Sequence, residues 1–532
     1  MLSSLHTMDY TGLSKALLSA VPRALTPKTA CAGVVAYIAW RTIHALFISP
    51  LRHVPGPFLA RISALPSLIL GLTRCTNDDM VSDCEKYGSI YVMEPEKVAI
   101  CHPDDCRLIL SSYAYTKDTL YSNVDFMEPN IFLTRDAELN KQRRRQVGPA
   151  LSMSGLLKME PMILDSGVQQ LMRQWDLQIQ IQRQQGLRRD GKAQVCYFLD
   201  LTLMSFDIIA TIGFGREHRS LTTGNKTIVH WVDKTFALMI IQMVLPLVKS
   251  RPFRYLTDVF LRKHVDDFFA FGHRAIRERK QLLSKGLLES KPLDILQSFI
   301  DAEDPESRIK MTSSQVITET IMLLLSGADT SSTALAWTIH LLTLYPLHYK
   351  RLVDQIRTAF ARDQVITYSM AKEQTPYLEA CILESLRLCP VSTNLPRIVP
   401  KGGVTIRGHH IPEGFKVAVS TAAANKNPET WENPHLYDPT RFINNDNNRK
   451  SLMTLSAGVR ICPGRHLVMV EMMTTLANLL NRYDFELPAD ALYTPDKLDH
   501  NNVPEIMPRT NLVAMIPKHP ERDCNVVISL RK

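Results

Sequence analysis

Leu455-Ser-Ala-Gly-Val-Arg-Ile-Cys462-Pro-Gly-Arg-His-Leu467 places one cysteine between a glycine-containing turn and an apolar run that continues to Leu480. Proline is pre-organised for the first helical position, so the sequence predicts that a helix begins at Pro463, with Cys462 at its positive end. That position, with two arginines nearby in sequence, is expected to lower the pKa of the thiol and favour the thiolate, which is the form that binds metals. By itself, however, a Cys-Pro-Gly sequence is more often a buried structural cysteine.

The amino-acid composition indicates a globular protein. The chain has 532 residues, of which 45% are hydrophobic and 22% charged, as in a globular protein with a large core. The 62 basic and 53 acidic residues give a net charge of +9, which suits an anionic membrane surface or an acidic protein partner and is too diffuse to indicate nucleic acid. The ten cysteines include no Cys-x-x-Cys pair, which argues against structural zinc and fits a reducing compartment.

The N-terminal region, residues 1–53, contains a candidate membrane anchor at 30–49. This apolar stretch has roughly the 20 residues needed to cross a bilayer, although Arg41 and His44 interrupt it. A peripheral apolar helix is the alternative, and basic residues on both sides leave its orientation open. Val54-Pro-Gly-Pro57 predicts a stiff hinge over 54–58. A catalytic domain over 59–518 and a C-terminal tail over 519–532 are expected to follow.

A long helix is predicted over residues 313–344. Thr312 and Gln315 have the spacing of a capping box, and no proline follows until Pro346. At 1.5 Å per residue such a helix is about 48 Å long, enough to cross a domain. At its centre, Ser326-Gly-Ala-Asp-Thr330 introduces polar side chains, and its glycine weakens the helix. Alone, this segment is an ordinary polar break.

A second helix is predicted from Thr375 to Leu388. Within it, Glu384 and Arg387 have the i,i+3 spacing that places an acid and a base on one helical face. By default such a pair is a surface ion pair of small energetic value. The later segment that contains Arg441 supplies another cation before the cysteine loop.

In combination, these motifs resemble the cytochrome P-450 superfamily of haem-thiolate monooxygenases. Gly458, Arg460, Cys462 and Gly464 match its haem-ligand loop, in which Leu455 replaces the usual aromatic residue. The resemblance implies a mainly α fold with a small β portion, in which the long central helix passes over the haem. It is strongest with membrane-bound microsomal members, and the hinge and the segment before the cysteine loop are similar to those of fungal members.

The resemblance also assigns roles to residues of this chain. Cys462 is expected to bind the iron of haem b, and Asp329 and Thr330 to deliver protons. The expected cofactor-binding residues are Arg144, Arg397, Arg460, Gly458 and Gly464, although Asn140 stands where an aromatic residue or histidine usually precedes Arg144. Glu384, Arg387 and Arg441 are expected to form a buried structural triad.

The implied reaction inserts one oxygen atom from O2 into a lipophilic organic substrate, with electrons from NADPH passed through a flavoprotein reductase. The implied location is the endoplasmic reticulum membrane, with a single span, a cytosolic catalytic domain and a role in secondary metabolism. Two alternatives are a haem-thiolate isomerase or dehydratase that uses peroxides and a haem-binding membrane protein without turnover. Asp329 and Thr330 favour oxygen activation, because the peroxide-using enzymes of the family often lack this pair.

Overall fold

The structure is a computed structural model that describes residues 27–73, 76–185, 191–287, 293–392, 394–511 and 514–531. Most of this part is α-helical. The α-helices are α1 (Pro27–Ile43), α2 (Phe58–Ile62), α3 (Leu65–Thr73), α4 (Thr76–Tyr87), α5 (Pro103–Leu110), α6 (Ala137–Val147), α7 (Met153–Ile163), α8 (Gln169–Gln184), α9 (Tyr197–Phe214), α10 (Ser220–Thr223), α11 (Thr227–Val244), α12 (Phe253–Thr257), α13 (Lys263–Ser284), α14 (Ile295–Asp301), α15 (Ser313–Leu344), α16 (Pro346–Ala359), α17 (Tyr368–Gln374), α18 (Pro376–Leu388), α19 (Thr421–Ala424), α20 (Asp446–Ser451), α21 (Arg465–Arg482) and α22 (Pro520–Asp523). Short 3-10 or π turns lie at His44–Ile48, Pro50–His53, Thr119–Asn123, Leu164–Val168, Pro246–Lys249, Asp258–Arg262, Pro439–Phe442 and Gly458–Arg460.

The β portion of the described residues is small and is divided among four sheets. The strands are β1 (Ile90–Glu94), β2 (Lys97–Ile100), β3 (Thr116–Lys117), β4 (Lys192–Cys196), β5 (Asn394–Ile398), β6 (Val404–Ile406), β7 (His409–Ile411), β8 (Lys416–Ser420), β9 (Tyr483–Glu486), β10 (Arg509–Asn511), β11 (Met515–Pro517) and β12 (Asn525–Leu530). The largest sheet has the order β1-β2-β8-β5-β3, and a three-stranded sheet has the order β4-β12-β9. The mainly α fold with a small β portion is therefore confirmed.

The C-terminal residues are part of the fold rather than a separate tail. β12 pairs antiparallel with both β4 and β9 and contributes buried valine and isoleucine side chains to the core. The boundary predicted at residue 519 therefore has no structural counterpart among the described residues up to 531. The expectation of a tail was wrong because a short strand at a chain end gives no signal of the distant strand it joins.

Helix α15 spans the predicted residues, Ser313–Leu344, and is the centre of the main core. The side chains of Thr312 and Gln315 each accept a hydrogen bond from the other residue's backbone N–H, at 3.2 and 3.0 Å, which completes the capping box. The helix continues without interruption through Gly327, and the Thr330 hydroxyl donates to the Ser326 carbonyl at 2.6 Å. The polar segment Ser326–Thr330 is thus part of a continuous helix.

Three described helices are long and apolar enough to cross a membrane: Pro27–Ile48, Tyr197–Phe214 and Thr227–Val244. The second is mostly buried in the core and the third partly so, whereas the first is almost entirely exposed. The N-terminal helix therefore fits a membrane anchor. Residues 1–26 of the predicted N-terminal region lie outside the described residues.

The predicted hinge is attached to the first sheet. Val92 of β1 donates its backbone N–H to the Pro55 carbonyl at 2.7 Å. Arg61 of α2 donates to the Leu51 carbonyl at 3.2 Å and to the Val54 carbonyl. The chain between the N-terminal helix and the catalytic fold is therefore held by hydrogen bonds on both sides of its prolines.

Glu384 joins helix α18 to the segment before the cysteine loop. Arg387 donates to its two carboxylate oxygens at 2.8 Å each, and Arg441 donates to one of them at 3.1 Å. Arg387 also donates to the carbonyls of Asn425 at 2.9 Å and Pro434 at 2.7 Å. Glu384 and Arg387 are completely buried, so these charges are compensated inside the protein.

Replacing Glu384 with glutamine is expected to lower the free energy of unfolding by about 3–5 kcal/mol, because two buried guanidinium groups lose their shared counter-charge. Chemical denaturation of the full chain, followed by tryptophan fluorescence, measures this change. Asp354→Asn is the matched control, since Asp354 and Lys350 form an exposed i,i+4 pair at 2.5 Å, and it is expected to cost less than about 0.5 kcal/mol. Equal effects in the two variants would contradict the assigned role of Glu384.

Candidate active site

The loop that carries Cys462 is closed by backbone interactions. The 3-10 turn Gly458–Arg460 begins at a glycine with φ +65°, and a Cβ atom added to Gly458 would lie 2.2 Å from the Leu110 carbonyl oxygen. Only glycine fits at this position without displacement of α5. The Cys462 N–H donates to the Leu455 carbonyl at 3.0 Å, and this bond does not depend on the side chain at residue 455.

The protonation of Cys462 differs from the prediction. Helix α21 begins at Arg465 with Gly464 as its N-cap, two residues later than predicted from Pro463. Burial raises the pKa of the Cys462 thiol, and the Gly464 N–H, Arg144 and Arg465 only partly oppose this increase. The expected net decrease in pKa was wrong because desolvation outweighs the nearby positive charges. The thiol is therefore the favoured form of the protein alone, and binding of a metal is what stabilises the thiolate.

Four cationic side chains lie near one another in the interior: Lys117, Arg144, Arg397 and Arg460. Burial lowers the pKa of Lys117, the charges of Arg460, Arg397 and Arg144 lower it further, and the charge of Glu319 only partly opposes this decrease. Burial and the charges of Arg397 and Arg144 likewise lower the pKa of Arg460 to about 10. Within the described residues, none of the four forms an ion pair. The cluster therefore has the charge that a ligand with carboxylate groups would neutralise.

The cations are held in place by neutral acceptors. Arg144 donates to the Ile461 carbonyl, next to Cys462, at 2.7 Å. Arg460 donates to the carbonyls of Thr134 and Arg135, both at 3.1 Å, while its buried Nε has no hydrogen-bond partner among the described residues. A buried donor without a partner indicates capacity for a further ligand.

Asn140 orients Arg144. Its side-chain oxygen accepts from Arg144 Nε at 3.2 Å and from the Tyr113 hydroxyl at 3.1 Å, while its amide donates to the Ile131 carbonyl at 3.0 Å. Asn140 is fully buried. The Asn140 amide thus supplies a hydrogen-bonded support for the Arg144 guanidinium.

Helix α15 presents an accessible stripe within its otherwise buried middle. Leu323, Ser326, Gly327 and Thr330 recur at helical spacing and are partly or fully accessible, whereas most of their neighbours are buried. Asp329 is beside this stripe. Burial, with a contribution from the charge of Asp233 in α11, raises the pKa of Asp329 to about 7. A carboxyl group with this pKa can both release and accept a proton near neutral pH.

The sequence patterns did not point to two buried ionisable residues of this region, Lys117 and Glu471. Lys117 belongs to no motif and reaches the cation cluster only through the pairing of β3 with β5. Glu471 is completely buried in α21, where burial raises its pKa to about 8 and neither carboxylate oxygen has a hydrogen-bond partner among the described residues. The Glu471 carboxyl lies in the apolar run after the cysteine, and an acidic residue in a buried helix is a signal that could have identified it.

These features fit haem. Cys462 lies on a constrained loop, and the neighbouring cation cluster, which has no ion-pair partner among the described residues, includes Arg144, which donates a hydrogen bond to the carbonyl of the residue before Cys462. The glycine turn leaves no room for a side chain at Gly458. Cysteine sulfur is suited to iron, and guanidinium groups are suited to carboxylates such as haem propionates. The residues therefore define a haem-thiolate type of site, with Cys462 as the candidate iron ligand.

Comparison with known proteins agrees with this class. The sequence profile of the family Cytochrome P450 matches residues 73–505. Cytochrome P450 monooxygenase helB1 of Aspergillus fumigatus is 38% identical over 93% of this chain and 84% of its own length. Cytochrome P450 monooxygenase helB2 of the same fungus is 38% identical over 95% of this chain and 99% of its own length. The crystal structure of the cytochrome P450DA heme domain is similar in fold, with a TM-score of 0.70 at 18% identity, covering 86% of this chain and 93% of that one.

The chain belongs to the cytochrome P450 family, and its relatives include fungal monooxygenases. It is accordingly a haem-dependent monooxygenase, for which the family implies a haem-thiolate cofactor, O2, a redox partner and a hydrophobic substrate. The peroxide-using isomerase or dehydratase and the non-catalytic haem protein are not favoured, since the relatives that match most of the chain are named monooxygenases.

Proposed function

We propose that this monooxygenase is held on the endoplasmic reticulum membrane by its N-terminal helix and oxidises a lipophilic substrate that arrives through the bilayer. Electrons come from NADPH through a flavoprotein reductase. The observation that carries the proposal is the presence of two exposed apolar segments, one in α1 and the turn after it and the other between α11 and α13.

The first segment has the dimensions of an anchor. Residues 27–48 form 22 residues of helix, about 33 Å at 1.5 Å per residue, against a hydrocarbon thickness of about 30 Å. Arg41, which interrupts its hydropathy, donates to the Ile62 carbonyl of α2 at 3.0 Å. This cation is therefore hydrogen-bonded to the catalytic fold and is not left without a partner among the lipids.

The second segment covers residues 244–260 and is built from short turns and helices. Large apolar side chains along it are more than half exposed, and Lys249, Arg251 and Lys263 stand among or beside them. Apolar side chains mixed with cations are typical of segments that lie in the interface of an anionic membrane. The exposed apolar residues are Val244, Leu247, Phe253, Tyr255, Leu256, Val259 and Phe260.

A surface beside the cysteine loop suits an acidic redox partner. A hollow of about 200 Å³ is lined by Arg144, Arg465, His466 and Pro463, among others. Lys141 is exposed on α6, the helix that carries Arg144. Docking of an acidic reductase at this surface would bring its electron donor close to Cys462, since complementary charges guide such encounters.

The proton-handling residues belong to α15. A bound haem would supply the chemistry of dioxygen activation, with Cys462 as the thiolate ligand that favours cleavage of the O–O bond. Asp329, with its pKa near 7, holds a proton that it can exchange at working pH. The Thr330 hydroxyl donates its hydrogen to the Ser326 carbonyl at 2.6 Å, so its lone pairs remain to accept a hydrogen bond from, and thereby hold, a water that carries the proton.

Thr330→Ala is expected to retain haem and to lower product formation on the order of tenfold, with a matching rise in the share of NADPH electrons released as hydrogen peroxide. The measurement is the ratio of peroxide to NADPH consumed, using a lipophilic substrate selected by its shift of the Soret band. Thr330→Ser keeps the hydroxyl and is the control, expected to stay near the wild-type ratio. An unchanged ratio in the alanine variant would remove Thr330 from the proton pathway.

Cys31 provides a test of the anchor, because it is exposed on α1 while most other described cysteines are buried. In detergent-dissolved microsomes that carry the full chain, a charged maleimide is expected to label Cys31, because the reactive thiolate can form in water. In intact microsomes the same reagent is expected to label it at least about tenfold less, because burying an ion in hydrocarbon is costly. Cys31→Ser gives the background from other thiols. Efficient labelling by the charged reagent in intact vesicles would refute the membrane span.

A further inference from the structure

A polar hollow of about 210 Å³ lies where β4, the start of α9, the end of α15, the loop 487–493 and the segment 521–525 meet. We refer to it as the α15-end hollow. His340 of α15 lines it and is about 16 Å further along the helix axis than Asp329, at 1.5 Å per residue. Neither Cys462 nor Thr330 is among its lining residues, so the hollow is separate from the haem-thiolate site.

His340 brings a hydrogen-bond donor to the wall of the hollow. The residue is 3% exposed, and its Nε2 accepts the Met507 N–H at 3.1 Å. Burial lowers the pKa of His340 to about 3, which the charge of Asp523 only partly opposes, so the ring is neutral. A neutral ring that accepts at Nε2 carries its proton on Nδ1. Within the described residues no atom accepts a hydrogen bond from Nδ1, so this buried donor requires an acceptor inside the hollow.

The residues beside His340 favour a hydroxyl as that acceptor. Thr343 donates its hydroxyl hydrogen to the His340 carbonyl at 2.8 Å and has only lone pairs left to offer to the hollow. The Tyr493 ring stands nearly perpendicular to the His340 ring, with 6.3 Å between the ring centroids. A ligand hydroxyl suits this end of the hollow because it accepts from Nδ1–H and can donate to the Thr343 oxygen.

The mouth of the hollow is acidic. Its charged lining residues are Asp490, Glu521 and Asp523, together with Arg522. Arg522 donates to both carboxylate oxygens of Asp523, at 2.6 and 2.9 Å, so these two charges cancel. Asp490 and Glu521 are exposed, and neither forms an ion pair with another residue that the structure describes. The mouth therefore attracts a cation.

The size and charge of the hollow indicate a small organic cation. In the described part of the chain, no group of three or more histidine, cysteine and acidic side chains is arranged to hold a metal ion. An anion would be repelled by the carboxylates at the mouth. The volume of about 210 Å³ is below the roughly 300–1,000 Å³ of pockets for drug-sized ligands, which suits an organic molecule of few atoms.

We propose that the α15-end hollow binds a small amino alcohol, with its hydroxyl oxygen on His340 Nδ1–H and its ammonium group between Asp490 and Glu521. The difference in burial between the two ends sets this orientation. The neutral end of the ligand lies where water is excluded, and the charged end stays near solvent, which avoids the cost of burying an ion. The bound molecule joins the loop 487–493 and the segment 521–525 to α15. This site is independent of the membrane route and of the substrate that is oxidised.

The test uses ethanolamine as the probe and the full-length holoenzyme in detergent micelles. Titration followed by saturation-transfer NMR of the probe is expected to show saturable binding with a millimolar dissociation constant. Ethylene glycol lacks the ammonium group and ethylamine lacks the hydroxyl, and each is expected to bind about tenfold more weakly. The Soret band is recorded in the same samples and is expected to stay unshifted, which shows that the amine is not on the haem iron.

Variants of the lining separate the two ends of the site. Asp490→Asn combined with Glu521→Gln is expected to weaken ethanolamine about tenfold and to leave ethylene glycol unchanged, because only the ammonium group loses its counter-charges. Ala491→Leu fills part of the hollow without removing a polar group and is expected to abolish binding of both compounds. Asp496→Asn is the matched control, since Asp496 is an exposed acid nearby in sequence that does not line the hollow. It is expected to bind as wild type does.

Two further measurements distinguish a binding site from damage to the fold. Each variant is expected to retain the wild-type spectrum of the reduced protein with carbon monoxide, because the hollow is separate from the haem site. In the wild-type protein, ethanolamine is expected to slow hydrogen exchange in residues 487–493 and 521–525 and to leave α18 unchanged.

The absence of saturable ethanolamine binding would overturn the proposal, as would ethylene glycol that binds as tightly as ethanolamine. Unchanged binding in Ala491→Leu would place the probe elsewhere and would also overturn it. A crystal structure grown with ethanolamine, in which the hollow holds only ordered water on His340 Nδ1, would show that water alone satisfies the donor and would contradict the site.

Discussion

Positive charge without an ion-pair partner among the described residues is the constraint on which the site depends. Lys117, Arg144, Arg397 and Arg460 come from four different segments and lower one another's affinity for protons. Charges are costly to bury without counter-charges, and within the described residues no carboxylate forms an ion pair with them. The carboxylates of a haem would relieve this cost, so the binding energy of the cofactor is coupled to the position of all four segments. Binding of the cofactor and folding around it are thereby linked.

The surrounding structure holds these segments against their repulsion. Asn140 orients one guanidinium, and Glu319 joins the loop after Lys117 to the central helix. Glu384, with its two arginines, fixes the segment that leads to the cysteine loop. Gly458 then lets that loop pack directly on the Leu110 carbonyl. The site is therefore built mainly from polar contacts between distant segments, set on an apolar core centred on α15.

Local signals predicted much of this arrangement. The bounds of α15 follow from a capping box at one end and Pro346 at the other, and Pro376 and Pro390 similarly delimit α18. The cysteine loop could be interpreted because its glycines, arginine and cysteine have a fixed spacing.

Long-range pairings were not predictable in this way. Such contacts join residues that are far apart in sequence and share no local motif. Examples are the pairing of β12 with β4, the approach of Lys117 to three arginines, and the hydrogen bonds between Asp125 and Gln242. The pKa of Cys462 also depended on burial, which the local sequence does not specify.

The most direct test of the central claim, that Cys462 is the haem ligand, is the absorption spectrum of the reduced full-length protein with carbon monoxide. The account predicts a Soret band at the long-wavelength position that a thiolate ligand produces and its loss in Cys462→Ser. It also predicts that Cys389→Ser, which removes a buried cysteine outside the loop, retains the band. A band at the shorter wavelength given by a neutral ligand, or a thiolate band that persists in Cys462→Ser, would contradict the account.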